Sequence, residues 1–166
     1  MHRYRILSEL LSYPEQKIDS LECYKAIADF YHWYAGMELY DLQEHYVTVF
    51  DLNKEISLNL FDYIHKDSPR RGPAMAELIG RYEDAGLMLE NEMPDYLPVL
   101  LEFASEHDTA LPAEFVPAID ALSKKLEDYG SMYSILTKAA AALLSKDPAG
   151  CADPAGCAES AKTEAV

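Results

Sequence analysis

Residues 112–129 read PAEFVPAIDALSKKLEDY, and within them Phe115, Ile119, Leu122, Leu126 and Tyr129 recur at spacings of 4, 3, 4 and 3. That is the period of a helix with one apolar face, not the alternation of a strand. It predicts a helix over 112–128. A second follows over 131–145, with Met132, Ile135, Leu136, Ala139 and Leu143 on its apolar side. Upstream, the same spacing predicts helices over 2–12, 15–35 and 38–50. The second of these stacks Ile18, Leu21, Tyr24, Ile27 and Tyr31, and the third Leu39, Leu42, Tyr46, Val49 and Phe50. Residues 51–57 read as a loop, and 57–65 as a short helix or an irregular segment.

Two helices have recognisable starts. Ser68 is a good N-cap and Pro69 suits a first helical position, where no N–H is needed. Met75, Leu78, Ile79, Tyr82 and Leu89 continue that helix. Another is expected to begin near Asp95 as its cap, with Pro98 early enough to break no intrahelical bond. No Val/Ile/Thr-rich alternation and no Asn-Gly or Asp-Gly turn appears. The expected fold is therefore all-α, a single-domain bundle of about seven helices over 1–145. The segment 146–166 contains DPAGCA twice in tandem and lacks periodic apolar residues, so it reads as a disordered tail.

The charge is strongly one-sided. Lys and Arg number 14 against 29 Asp and Glu, a formal net charge of −15. That argues against nucleic acid or an anionic membrane as partner and favours something basic. From Glu77 to Glu114 there are ten acids and one base, Arg81. No apolar run approaches the ~18 residues that span a bilayer. The N-terminal stretch carries Glu9 and is not read as a signal peptide. The pair Arg70-Arg71 is internal and Gly-Pro follows it, unlike an export signal. The cytoplasm is the expected compartment.

Catalytic and metal motifs are sparse. There is no nucleophile elbow, P-loop or Gly-rich dinucleotide loop, and no enzyme activity is expected. Di-iron bundles use Glu-x-x-His on two helices, and Asp29-x-x-His32 is a single approximation to it. Cys151 and Cys157 are separated by five residues, unlike the Cys-x-x-Cys of structural zinc. With Cys23 they imply no disulfide framework. No bound metal or cofactor is expected. Arg70 and Arg71 stand out for another reason. In the first turn of a helix they oppose its dipole, at a cost of roughly 0.3–1 kcal/mol each when exposed. They need acids from elsewhere, such as Asp62 or Asp67, or a ligand.

Residues 46–103, from YVTVFDLNKEISLNLFDYIHKDSPRRG to EMPDYLPVLLEF, resemble the core of the NarJ-type nitrate reductase assembly chaperones, part of the wider TorD/DmsD class. ILSELLSYPE resembles their opening helix, and a weaker likeness runs to about residue 145. Tyr46, Phe50 and Asp51 match the family's Tyr-x-x-x-Phe-Asp, and Ser57, Leu58 and Leu60 its Ser-Leu-x-Leu. Asp67, Ser68, Arg71, Gly72, Ala74 and Met75 match the next segment, with Lys66 in place of a glycine and Pro69 of a frequent arginine. Met93, Pro94, Asp95, Tyr96, Leu97 and Pro98 stand at Leu-Pro-Asp-x-Leu-Pro. Asp62 and Tyr63 stand at a Glu-His pair, so the acid is kept and the imidazole lost, with His65 two residues on.

The resemblance implies a non-enzymatic cytoplasmic chaperone, monomeric or weakly dimeric, that stably binds no cofactor itself. Its partner would be the N-terminal peptide of the catalytic subunit of a nitrate reductase or related molybdoenzyme. It would hold that subunit while molybdenum cofactor and an iron–sulfur cluster are inserted, before membrane docking. The expected peptide groove comprises Tyr46, Phe50, Asp51, Asp62, Tyr63, His65 and Tyr96. Asp67, Ser68, Arg71 and Asp95 are expected to shape it, Arg71 by pairing with an acid of 62–67. The rival is a small-molecule site or enzyme built on Asp62, His65 and Arg71.

Overall fold

A computed structural model describes residues 2–18, 25–89, 91–107 and 109–146. Leu21, Cys23, Tyr24, Cys151, Cys157 and the expected tail from 147 lie outside the described residues. The fold is all-α. Nine α-helices occur among the described residues: α1 (His2–Leu11), α2 (Ala28–Ala35), α3 (Leu39–Tyr46), α4 (Phe61–Ile64), α5 (Arg71–Asp84), α6 (Leu97–Glu106), α7 (Ala110–Ala113), α8 (Val116–Tyr129) and α9 (Tyr133–Lys146). A 3-10 turn, Lys25–Ile27, leads into α2, and a π-helical turn, Val47–Asp51, extends α3.

The apolar helix α6 is buried along most of its length. Leu97, Leu100 and Leu101 are fully buried, and Val99, Phe103 and Ala104 nearly so. A helix apolar on nearly every side has to be surrounded. It packs against α1, which also meets α9, and α8 and α9 form an antiparallel hairpin. Each fully buried leucine contributes about 1.5–3 kcal/mol over an exposed one. Gly130, at φ 81, closes α8. Its left-handed backbone lets the Ser131 N–H reach the Leu126 carbonyl at 2.9 Å and turns the chain into α9.

Several boundaries differ from those read in the sequence, each for a physical reason. Residues 12–18 are not helical, so the helix expected from 15 does not begin there; among the described residues the segment is next seen at the turn before α2. Lys17 Nζ donates to the Ala35 and Met37 carbonyls at 2.9 and 2.7 Å, satisfying the far end of α2 from outside. The segment 112–128 is two helices. Pro117 has no N–H for the Ala113 carbonyl and its ring crowds it, so the chain breaks after α7 and resumes with Pro117 in the first turn of α8. Of the stripe expected on α9, Leu136 and Ala139 are buried, while Met132, Ile135 and Leu143 are half-buried and Tyr133, Thr137, Ala140 and Leu144 lie deeper. A helix so rich in alanine and leucine leaves its inner face undetermined by periodicity.

The start of α5 shows the expected chemistry in a shifted register. The Arg70 N–H donates to Ser68 Oγ at 3.3 Å, while regular helix begins at Arg71. The turn before it contains Lys66 at φ 36, the one non-glycine residue with positive φ among the described residues. The family resemblance places a glycine there. The left-handed region costs a side-chain-bearing residue about 1–2 kcal/mol, part of which a glycine gives back in unfolded-chain entropy. Lys66→Gly is therefore expected to raise stability by about 0.5–1 kcal/mol, read as a higher denaturant midpoint at unchanged slope.

Candidate functional site

The site is organised by an extended segment that enters α6. Residues 58–60 pair antiparallel with 95–97: the Leu60 N–H donates to the Asp95 carbonyl and the Leu97 N–H to the Leu58 carbonyl, both at 2.9 Å. The Tyr82 hydroxyl, fully buried, donates to the Pro94 carbonyl at 2.8 Å and fixes the approach. Successive side chains of an extended chain point to opposite faces. Asp95 and Tyr96 consequently make contacts in different places.

Asp95 does not cap α6, as its position suggested. It is fully buried, and its Oδ2 accepts the Phe61 N–H at 2.9 Å, at the start of α4. The cap of α6 is dispensable because Leu97 gives its N–H to Leu58 and Pro98 has none to satisfy. Asp95 Oδ1 has no hydrogen-bond partner. Burial raises the Asp95 carboxyl above its ordinary range, against the Phe61 N–H and the Arg71 guanidinium, which favour the charged form.

Tyr96 turns the other way. Its hydroxyl lies 3.0 Å from the Tyr46 hydroxyl, which donates to the Leu11 carbonyl at 3.3 Å. The Tyr46 ring packs on Phe50 at 4.8 Å and on Tyr13 at 5.6 Å, and Phe50 meets Tyr133 at 5.0 Å. The π turn over 47–51 holds Phe50 and Asp51 beside this cluster. Turns of this kind are frequent at functional sites. Burial pushes the Tyr46 and Tyr96 hydroxyls up, and the nearby Asp51 carboxylate adds to both shifts. These phenols stay protonated and act as hydrogen-bonding groups.

Beside this aromatic cluster is a cavity of about 890 Å³ between α1, the 12–18 segment and the entry to α6. Tyr13, Tyr34, Tyr96 and Tyr133 line it, together with Glu9, Glu15, Glu92 and Glu102. All four glutamates are exposed. Of the two cations that line it, Arg5 pairs with Glu9 at 3.3 Å and Lys17 is spent on the end of α2. The result is an apolar aromatic wall under an excess of negative charge. That combination suits a peptide with apolar and basic side chains.

Asp62, Tyr63 and His65 make their contacts away from that cavity. Arg71 Nη1 donates to Asp62 Oδ1 at 2.6 Å and reaches the Lys66 carbonyl at 3.5 Å, which ties the 62–67 turn to α5. The Tyr63 hydroxyl donates to the Ser57 carbonyl and accepts the Ser57 N–H, both at 3.0 Å. The Lys125 ammonium sits 5.1 Å from the centre of its ring. His65 packs against Phe61 at 4.8 Å and lines a smaller cleft with Ile64, Leu78 and Glu114. Asp67 is exposed. The seven residues expected in one groove thus fall into an aromatic set (Tyr46, Phe50, Asp51, Tyr96) and a turn-forming set (Asp62, Tyr63, His65). Tyr13, Tyr133 and Glu9 of α1 were missed. Tyr133 follows a left-handed glycine, a signal that the chain turns sharply there. Asp29 and His32 both lie on α2, and no cluster of three or more His, Cys, Asp or Glu placed to hold a metal occurs among the described residues. No helix of the described residues is long and apolar enough to cross a membrane.

His45 borders the aromatic set. Its ring lies 5.1 Å from Trp33 and 5.7 Å from Tyr133, and Nε2 is 3.4 Å from Ser131 Oγ. Burial lowers its pKa below 6.5. The unfolded chain therefore binds a proton near pH 6.5 while the native chain still resists it, so stability falls as pH drops through that value. Denaturant midpoints measured across that range are expected to decline more steeply for the native sequence than for His45→Gln.

Residues 19–134 match the protein family described as "Nitrate reductase delta subunit". The chain is 36% identical over 115 residues to the Escherichia coli K12 protein named "Probable nitrate reductase molybdenum cofactor assembly chaperone NarW", an overlap covering 63% of this chain and 50% of that protein. It is 32% identical over 152 residues to "Nitrate reductase molybdenum cofactor assembly chaperone NarJ" of the same strain, covering 79% and 64%. A Bacillus subtilis (strain 168) relative, "Probable nitrate reductase molybdenum cofactor assembly chaperone NarJ", is 28% identical over 160 residues, covering 85% and 87%. The chain spans half to just under two-thirds of the length of the two Escherichia coli relatives. Each of the three is named as an assembly chaperone and none as a catalyst.

Proposed function

The chain belongs to the nitrate reductase delta subunit family, and from that premise we propose that it is a non-catalytic chaperone for the assembly of a nitrate reductase or a related molybdoenzyme. It binds the N-terminal segment of the catalytic subunit in the cytoplasm. It holds that subunit until molybdenum cofactor and an iron–sulfur cluster are in place, and so delays docking at the membrane. The cofactor is cargo of the client and not a resident of the chaperone.

The observation that carries this reading is the aromatic cavity under exposed glutamates. Tyr46, Phe50 and Tyr96 form or back its apolar wall, and Asp51 adds charge beside them. Apolar side chains of the client supply affinity there, while the glutamates steer its basic residues and set the rate of encounter. The turn-forming residues act indirectly. Asp62, Arg71 and Asp95 hold the 58–71 segment against 93–97, and through it the position of Tyr96.

Co-production of the catalytic subunit with and without this chain tests the function. With the chain, the isolated subunit is expected to contain molybdenum. Without it, the subunit is expected to accumulate with little. Equal molybdenum content in both preparations contradicts the proposal.

A further inference from the structure

The end of α5 and the loop after it form a second apolar surface, which adjoins the aromatic cavity at Glu92. Gly86, at φ 84, lets the Leu87 N–H reach back to the Tyr82 carbonyl at 2.9 Å, so residues 87–89 fold alongside the last turn of the helix. Ile79, Leu87, Met88 and Leu89 line a cleft of about 190 Å³ there. Ile79 is 38% exposed and Met88 74%, and the neighbouring Met93 is 45% exposed. Large apolar side chains this open to water, grouped in one place, mark a surface that something else covers. The cleft is smaller than the roughly 300–1,000 Å³ of drug-sized ligand pockets, and suits a single aliphatic side chain of a larger partner. Methionines adapt to such partners because their side chains are unbranched and polarizable.

The charged residues that line the cleft have one sign, and the neighbouring Arg81 is paired with Glu114. Glu83 and Glu92 line it, Asp84 is exposed beside it, and the sequence carries no Lys or Arg from Tyr82 to Glu106. Glu92 also lines the aromatic cavity, so the two surfaces are continuous. We propose that this cleft is a second docking surface. Its occupant is an amphipathic peptide segment that places an aliphatic side chain between Ile79 and Met88 and its Lys or Arg residues against Glu83 and Glu92. An acidic segment or a nucleic acid would be repelled there. The proposal stands apart from the client reading above, because it needs only a basic amphipathic partner.

The probe is a labelled synthetic helix of leucine and lysine, with leucines at helical spacing, titrated into the full chain and followed by fluorescence anisotropy. Met88→Asp and Glu83→Lys, both at exposed positions, are each expected to weaken binding by about tenfold with the helical circular dichroism unchanged. The same titrations are run in the Tyr96→Ala background, which removes the aromatic anchor of the first cavity and leaves this cleft intact; the probe is still expected to bind there, and to be weakened by Met88→Asp and Glu83→Lys as before. A leucine–glutamate helix is expected not to bind. Unchanged affinity in Met88→Asp or Glu83→Lys overturns the proposal. So does absence of any probe binding in the Tyr96→Ala background, which would assign the probe to the aromatic cavity alone, and so does equal binding of the acidic helix.

Discussion

Asp95→Ala is expected to destabilise the fold by about 1–3 kcal/mol, because it leaves the buried Phe61 N–H without a partner. Asp95→Asn behaves differently. Its amide oxygen keeps the Phe61 bond while the buried charge is removed, and the variant is expected to equal or exceed the native stability at neutral pH. The pH dependence separates the two effects. Burial raises the Asp95 pKa above its unfolded value of 3.8. Between those two values the native chain holds more protons than the unfolded one. Native stability is therefore highest below 3.8, relative to Asp95→Asn, and falls as pH rises through the folded pKa. Urea unfolding of the three proteins as a function of pH measures this. Equal loss in the alanine and asparagine variants would contradict the role assigned to the Phe61 bond.

The second large effect is on client binding. Tyr96→Ala removes a half-buried aromatic side chain from the cavity wall and the hydroxyl that meets Tyr46. Truncating a central aromatic anchor costs about 2 kcal/mol or more, so affinity for the client peptide is expected to fall about thirtyfold, chiefly through faster dissociation. Glu92→Gln with Glu102→Gln should act on the other rate. These side chains are exposed at the cavity, and removing their charge is expected to slow association and flatten its salt dependence. Surface plasmon resonance at two salt concentrations separates the rates. A double glutamine variant with the native salt dependence would remove the steering role.

What could be read from the sequence follows from range. The α8 stripe of Ile119, Leu122 and Leu126 and the chain reversal at Gly130 are local, and both are present. The all-α class followed from such stripes. The break at Pro117 was equally local, but the apolar period runs through it and hid it. Asp95 was illegible for a different reason. Which helix it caps depends on the pairing of 58–60 with 95–97, and no spacing within 92–103 encodes that. Tyr96 and Tyr46 were named together, yet Tyr13, Tyr133 and Glu9 of α1 come from parts of the chain far apart in sequence. His65 and Tyr63 were drawn to the same groove by nearness to it in sequence, and a single turn of α4 is enough to send them elsewhere.

Calorimetric titration with the N-terminal peptide of the nitrate reductase catalytic subunit from the same source tests the central claim most directly. Saturable binding at micromolar or lower peptide is predicted, weakened by Tyr96→Ala and by Phe50→Ala. No heat at micromolar peptide, or an affinity indifferent to both substitutions, would contradict it.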